Sequence, residues 1–227
     1  MTNLPTLAIL GGTGDLGTGL ATRWLQAGYP VIIGSRTADK AVAAADELRS
    51  VLTERGITAI DVDAMDNRAA ASAADIVAMT VPFAHHRATL ESVKAELAGK
   101  ILIDVTVPLV PPKVARVQLP EAGSAGQMAQ DLLGDDVRVV SAFQNVAAIH
   151  LQEGQDLTSD VLVCGNDKAA RQDVITLIEA AGLRGIHAGS IANSAATEAM
   201  TSLLIFINKQ YKSHTGIRIT GLMNEAP

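Results

Sequence analysis

Cysteine is almost missing from this chain: Cys164 is the single one in 227 residues. An internal disulfide is therefore impossible, so the core must hold the fold, and a reducing cytoplasm is the expected location. Aromatic residues make up only 3% of the sequence, which argues against the base-stacking platforms of single-strand nucleic acid binders. The formal charge is −6, whereas nucleic acid binding depends on a basic surface that neutralises phosphates. No apolar run approaches the ~20 residues that span a bilayer. The first residues hold no basic stretch followed by an apolar one, so no secretion signal is expected. Also missing are G-x-S-x-G, C-x-x-C and any paired-carboxylate signature. The five histidines, His85, His86, His150, His187 and His214, make no metal-ligand spacing, and no metal is expected. His85 and His86 would point about 100° apart on a helix and read as solvated surface residues. Cys164 sits in an apolar stretch and reads as an inert buried thiol.

What the chain does have is apolar content, 48% of its residues, enough for a sizeable core. "TLAIL" (6–10), "PVIIGS" (30–35), "DIVAMTV" (75–81), "KILIDVT" (100–106) and "VRVVSAF" (137–143) are short continuous apolar runs. Such runs predict strands buried on both faces. "ITAID" (57–61) is read the same way. Helical spacing runs through 15–27, 39–55 and 83–98. Strands alternating with helices predict an α/β fold, a doubly wound Rossmann sheet with helices on both faces. The proline-rich 107–113 and 119–126 read as an irregular excursion over the sheet's carboxyl edge. Residues 1–150 form the expected dinucleotide-binding domain. Residues 151–227 form a small C-terminal α/β domain, with strands 160–165 and 183–189, a helix over 168–181 and a long apolar helix near 192–210.

The stretch Gly12-Thr13-Gly14-Asp15-Leu16-Gly17 fits G-x-G-x-x-G between a strand and a helix. In that context Gly12 permits the tight turn, Gly14 lets backbone touch a pyrophosphate, and Gly17 lets the helix pack on the strand. The helix N-terminus then favours an anion. A phosphate-binding P-loop would need Lys and Ser/Thr next, but Thr18 and Gly19 follow, which excludes it. A glycine-rich turn with no ligand is the bland alternative.

A site for NAD usually carries Asp or Glu at the end of the second strand. Here Gly34-Ser35-Arg36 stand there, with Lys40 a turn beyond. Ser35 can donate to a 2′-phosphate, and Arg36 can grip it while stacking on adenine. Lys40 places a cation against a helix N-terminus, where only a bound anion makes it favourable. The expected cofactor is NADP(H).

"MTVPFAHH" (79–86) leaves the fourth strand where a nicotinamide would lie. Val81, Pro82 and Phe83 are either an apolar shelf for a ring or an ordinary βα loop. With no acid, base or metal set in view, direct hydride transfer fits, a chemistry that belongs to the cofactor. Near the C-terminus Lys209, Lys212, His214 and Arg218 cluster, either as a basic patch for an anionic second substrate or as a solvated end. The apolar "MTSLLIFIN" (200–208) reads as core or as the interface of a homodimer.

"GGTGDLG", "GSR", "VVSAFQNVAA" (139–148), "DVLVCGNDKAA" (160–170) and "NKQYKSHTGIRITGL" (208–222) together resemble the NADPH-dependent reductases of coenzyme F420, a deazaflavin. The resemblance covers nearly the whole chain. It implies reversible hydride transfer between NADPH and F420. It also implies that Thr13, Ser35, Arg36 and Lys40 hold the NADP phosphates, while Pro82 and 141–148 border the deazaflavin ring. One departure stands out: Gln144 occupies a position where the family often has histidine. An amide can hydrogen-bond a ring carbonyl but cannot become a cation. Alternatives from the residues alone are an NADPH-dependent reductase of a flavin, ferric complex or small carbonyl, and a non-catalytic NADPH-sensing module.

Overall fold

The computed structural model describes residues 4–153 and 158–222. The expectation for residues 1–3, and the parts of the C-terminal unit at 154–157 and 223–227, lie outside the described residues. Strand β1 (Leu7–Leu10) opens the chain, then α1 (Asp15–Gln26), β2 (Val31–Ser35) and α2 (Ala38–Glu54). Next come β3 (Val62–Asp66), α3 (Asn67–Ala73), β4 (Ile76–Met79) and α4 (Phe83–Val93), which tightens into a 3-10 turn over Lys94–Leu97. β5 (Ile101–Asp104), α5 (Ala125–Leu133), β6 (Arg138–Ser141) and α6 (Ala148–Glu153) follow. The last part holds β7 (Asp160–Gly165), α7 (Lys168–Ala180), β8 (Arg184–His187) and α8 (Ser194–Tyr211).

The strands lie in one sheet in the order β3-β2-β1-β4-β5-β6-β7-β8. The first six are parallel, in the Rossmann order, so the crevice lies at the carboxyl edge between β1 and β4, where the winding reverses. β7 pairs antiparallel with β6 through Ser141 and Cys164, and β8 pairs parallel with β7. The segment after 150 therefore extends the same sheet, and residue 150 falls inside α6. Among the described residues no helix is long and apolar enough to cross a membrane.

The unbroken apolar strands have a simple cause. In β1, Leu7 and Ile9 pack with Trp24, Leu48 and Val174 on one face, while Ala8 and Leu10 pack with Ala71, Leu90 and Leu97 on the other. Alternate side chains face opposite layers, so both registers must be apolar. Each fully buried Leu or Ile contributes roughly 1.5–3 kcal/mol. Trp24 is wholly buried; its Nε1 donates to the Leu177 carbonyl at 2.9 Å, and its ring meets Phe143 edge-on at 6.1 Å.

Three expectations need correction. "ITAID" (57–61) is not a strand; β3 starts at Val62, paired with Val31. Ile57 instead closes the end of α2, its N–H bonded to the Leu52 carbonyl. The β-branched run only carries the chain back to the start of the sheet edge. The stretch 119–126 is not wholly irregular, because Ser124 caps α5 by accepting the Gln127 N–H at 2.9 Å. His86 is not solvated: it is 1% exposed, against an exposed His85. Facing inward on α4, it meets Asp104 at the end of β5.

Candidate active site

A cleft of about 720 Å³ opens at the carboxyl edge of β1, β2 and β4. Of the residues singled out in the sequence, it brings together Thr13, Gly14, Asp15, Leu16, Ser35, Arg36, Lys40, Val81 and Pro82. Gly12 and Gly17 are buried behind it. Phe83 and Gln144 stand outside this lining, on α4 and in the loop after β6.

The glycines divide their roles by space. Gly11, at φ +73, takes the left-handed conformation in the turn that Gly12 continues. A Cβ on Gly12 would sit 2.8 Å from the Ile9 carbonyl, and one on Gly17 only 2.7 Å from the Gly12 Cα. Both are glycine because helix and strand backbones touch there. Gly14 differs: a Cβ there would meet nothing nearer than the Gly11 carbonyl at 3.8 Å. The space above Gly14 is open, and α1 starts with no side-chain cap. Its first N–H groups are left for an anion, as a pyrophosphate requires.

At the end of β2, Ser35 is buried and Arg36 and Lys40 are exposed at the cleft rim. Among the described residues neither cation has a carboxylate partner within ion-pair distance. α2 likewise begins without a side-chain cap. Unpaired cations above an uncapped helix suit a phosphate.

Sequence reasoning missed several lining residues, among them Thr37, Asn67, Thr80, His85 and Thr89. Asn67 Oδ1 accepts the Gly11 N–H at 3.4 Å and lies 3.0 Å from where a Gly34 Cβ would stand. Thr80 Oγ1 donates to the Leu10 carbonyl at 3.0 Å, tying β4 to the glycine turn. Neither leaves a sequence signal, because both act on backbone far away in the chain.

Beyond β4 the site turns from open cleft to buried polar groups. Phe143 holds φ +72, rare for a bulky residue, and is locked by its contact with Trp24. Gln144 follows it, 5% exposed. Its Nε2 donates to the Asp104 carbonyl at 2.9 Å and to Ser141 Oγ at 2.8 Å, and its backbone carbonyl accepts from Thr201 Oγ1 at 2.8 Å. Among the described residues Gln144 Oε1 is buried with no donor. An orphaned buried acceptor is costly.

Glu198 on α8 was also missed. Its carboxylate, 1% exposed, accepts the N–H groups of Ala125 at 2.6 Å and Gly126 at 3.0 Å at the start of α5. Burial pushes its carboxyl up to about 8, even against those two N–H bonds, and the Asp104 charge adds to the rise. Burial also pushes the Cys164 thiol up to about 11, as fits an inert core thiol. Lys209, Lys212, His214 and Arg218 are all exposed near the chain end. That end is pinned by Asp160, which accepts Arg184 at 2.7 Å and the Ile219 N–H at 2.6 Å.

The profile of the family described as NADP oxidoreductase, coenzyme F420-dependent, matches residues 6–108. The F420-dependent NADP reductase of Methanocaldococcus jannaschii is 43% identical over 222 residues, covering 95% of this chain and 98% of that protein. The chain belongs to the F420-dependent NADP reductase family. The family member of Methanothermobacter marburgensis is 39% identical over 226 residues, with 95% and 98% covered. A solved structure of a proposed F420-dependent NADP reductase from Arthrobacter sp. FB24 superposes with a TM-score of 0.77 at 25% identity, covering 95% of this chain and all of that one.

Proposed function

We propose that this family member passes a hydride reversibly between NADP(H) and the deazaflavin coenzyme F420. The observation that carries this is a cleft lined by the glycine turn and by the exposed Arg36 and Lys40, in a chain that matches F420-dependent NADP reductases along 95% of its length. When bound, the two coenzymes supply the redox chemistry: the nicotinamide C–H bond breaks with its electron pair, the deazaflavin gains that hydride, and a solvent proton completes its reduction.

The protein's part is binding and alignment. The backbone above Gly14 and the hydroxyl of Thr13 hold the pyrophosphate, flanked by Asp15 and Leu16 at the start of α1, while Gly12 and Gly17 keep that helix close. Ser35, Arg36 and Lys40 hold the 2′-phosphate. Val81, Pro82 and Phe83 support the nicotinamide, and Pro82 and Gln144 border the deazaflavin ring. Residues 1–150 bind the nucleotide, and 151–227 complete the second-substrate side, where the exposed cations of the chain end steer an anionic coenzyme. No side chain acts as acid or base on the hydride.

Leu203 and Phe206 on α8 are 53% and 58% exposed. Apolar side chains so open on one helix fit a homodimer seam. The buried, free Cys164 fits a reducing cytoplasm.

The test is spectral. NADPH added to the protein with oxidised F420 bleaches the deazaflavin absorbance, and a parallel cuvette with a flavin stays unchanged. Bound NADPH with no bleaching of F420 would refute the reading; turnover of the flavin alone would replace F420 with another acceptor.

A further inference from the structure

The two proposed ring supports, Val81–Phe83 and Gln144, come from different parts of the chain, and one buried pair joins them. His86 Nε2 lies 2.7 Å from Asp104 Oδ2, with both side chains 1% exposed. His86 sits on the first turn of α4, three residues after Phe83, and the two rings lie 6.2 Å apart at a tilt of 31°. Asp104 ends β5 and reaches both ways. Its Oδ1 accepts the Thr106 N–H at 3.0 Å, and the Thr106 hydroxyl donates to the Val81 carbonyl at 3.5 Å. On the other side its own carbonyl accepts Gln144 Nε2.

His86 is held through a single nitrogen. Among the described residues its Nδ1 is buried with no partner, and the ring borders a separate cavity of about 320 Å³ between α4 and α5. Among the described residues Asp104 therefore supplies the one hydrogen bond that orients the imidazole. A buried polar pair of this kind is weak evidence for stability, since apolar replacements of similar volume often do as well. Its position between two ring supports gives it another role.

We propose that His86 and Asp104 are positioning residues that set the separation between the nicotinamide and deazaflavin rings. This rests on the assignment of Val81–Phe83 and Gln144 as ring supports. Hydride transfer needs donor and acceptor in contact, and a misplacement of about 1 Å can cost about 100-fold in rate. The pair braces α4 against β5 at hydrogen-bond length, so the shelf and the glutamine move together. Neither residue touches hydride or proton in the reaction.

The test is single-turnover reduction of F420 by NADPH and by NADPH deuterated at the transferred position. It compares the native protein with His86→Leu, His86→Gln, Asp104→Asn and Gln144→Ala. His86→Leu should slow the hydride step about 10- to 100-fold and make the isotope effect more temperature-dependent, with NADPH affinity within about threefold. His86→Gln places an amide nitrogen near the Nε2 position and should recover most of the rate. Should the leucine variant not fold, His86→Gln and Asp104→Asn carry the same isotope readout. A folded His86→Leu protein with native rate and isotope effect would overturn the proposal while Gln144→Ala still slows transfer. If Gln144→Ala also leaves transfer unchanged, the ring supports are misassigned and both readings fall.

Discussion

The two sides of the site are built on opposite plans. The nucleotide side is local and open: the turn at 11–17 and the cations at 36 and 40 lie within 30 residues, around a cleft of about 720 Å³. The side proposed for the deazaflavin is dispersed and closed: His86, Asp104, Gln144, Glu198 and Thr201 come from four segments, and the first four are nearly or fully buried. A phosphate can be held by backbone N–H groups and exposed cations, which short motifs supply. A flat ring awaiting hydride must be aligned, and alignment comes from rigid, buried, long-range contacts.

The largest effect should come from breaking the nucleotide side at its open glycine. Gly14→Val fills the open space proposed for the pyrophosphate, so it should weaken NADPH binding roughly 100-fold or more through lost charge-assisted hydrogen bonds of about 1.5–3 kcal/mol each. Its melting temperature should stay native, because nothing in the protein occupies that space. Gly17→Val should do the reverse, since its side chain collides with Gly12 backbone; calorimetry beside a binding titration separates the two. Equal losses of stability would erase the distinction between the ligand-facing and packing glycines.

Next in size, Arg36→Ala should raise the KM for NADPH about 10- to 100-fold, one charge-assisted contact's worth, and leave NADH nearly unaffected. Steady-state kinetics with both cofactors decides it. If both KM values rise together, Arg36 does not read the 2′-phosphate. F420 binding should not move, which would sharpen the separation of the two sides.

The smallest effect belongs to the closed side. Glu198 titrates at about 8 in the fold, against an ordinary carboxylate value near 4.5. The folded state therefore holds the proton more tightly. Its contribution is full below about pH 4.5 and is lost as pH rises to about 8. The melting temperature of the native protein should fall across that window relative to Glu198→Gln, measured by thermal scans at several pH values. Parallel curves would show that Glu198 stays ionised throughout.

Most of the fold was legible, and the exceptions are instructive. The apolar runs at 7–10, 31–35, 76–79 and 101–104 announced the strands, since a doubly covered sheet demands apolar residues on both faces. β3 misled because an edge strand, Val-Asp-Ala-Met-Asp, reads as polar, while the β-branched run before it is only a return path. α3 and α5 escaped because short helices owe more to caps, here Asp66 and Ser124, than to periodicity. His86 read as surface because adjacent histidines look alike in sequence; only packing against β5 separates them.

The sequence by itself determined the apolar strands of the sheet, the glycine turn and the cationic end of β2. Each depends on residues close together in the chain, whose backbone preferences act before any long-range contact forms. Tertiary structure decided the closed half. The His86–Asp104 pair spans 18 residues and the Glu198 contact with α5 spans 73. A buried polar group takes its role from the partner that satisfies it, and that partner exists only once the sheet has brought the two together.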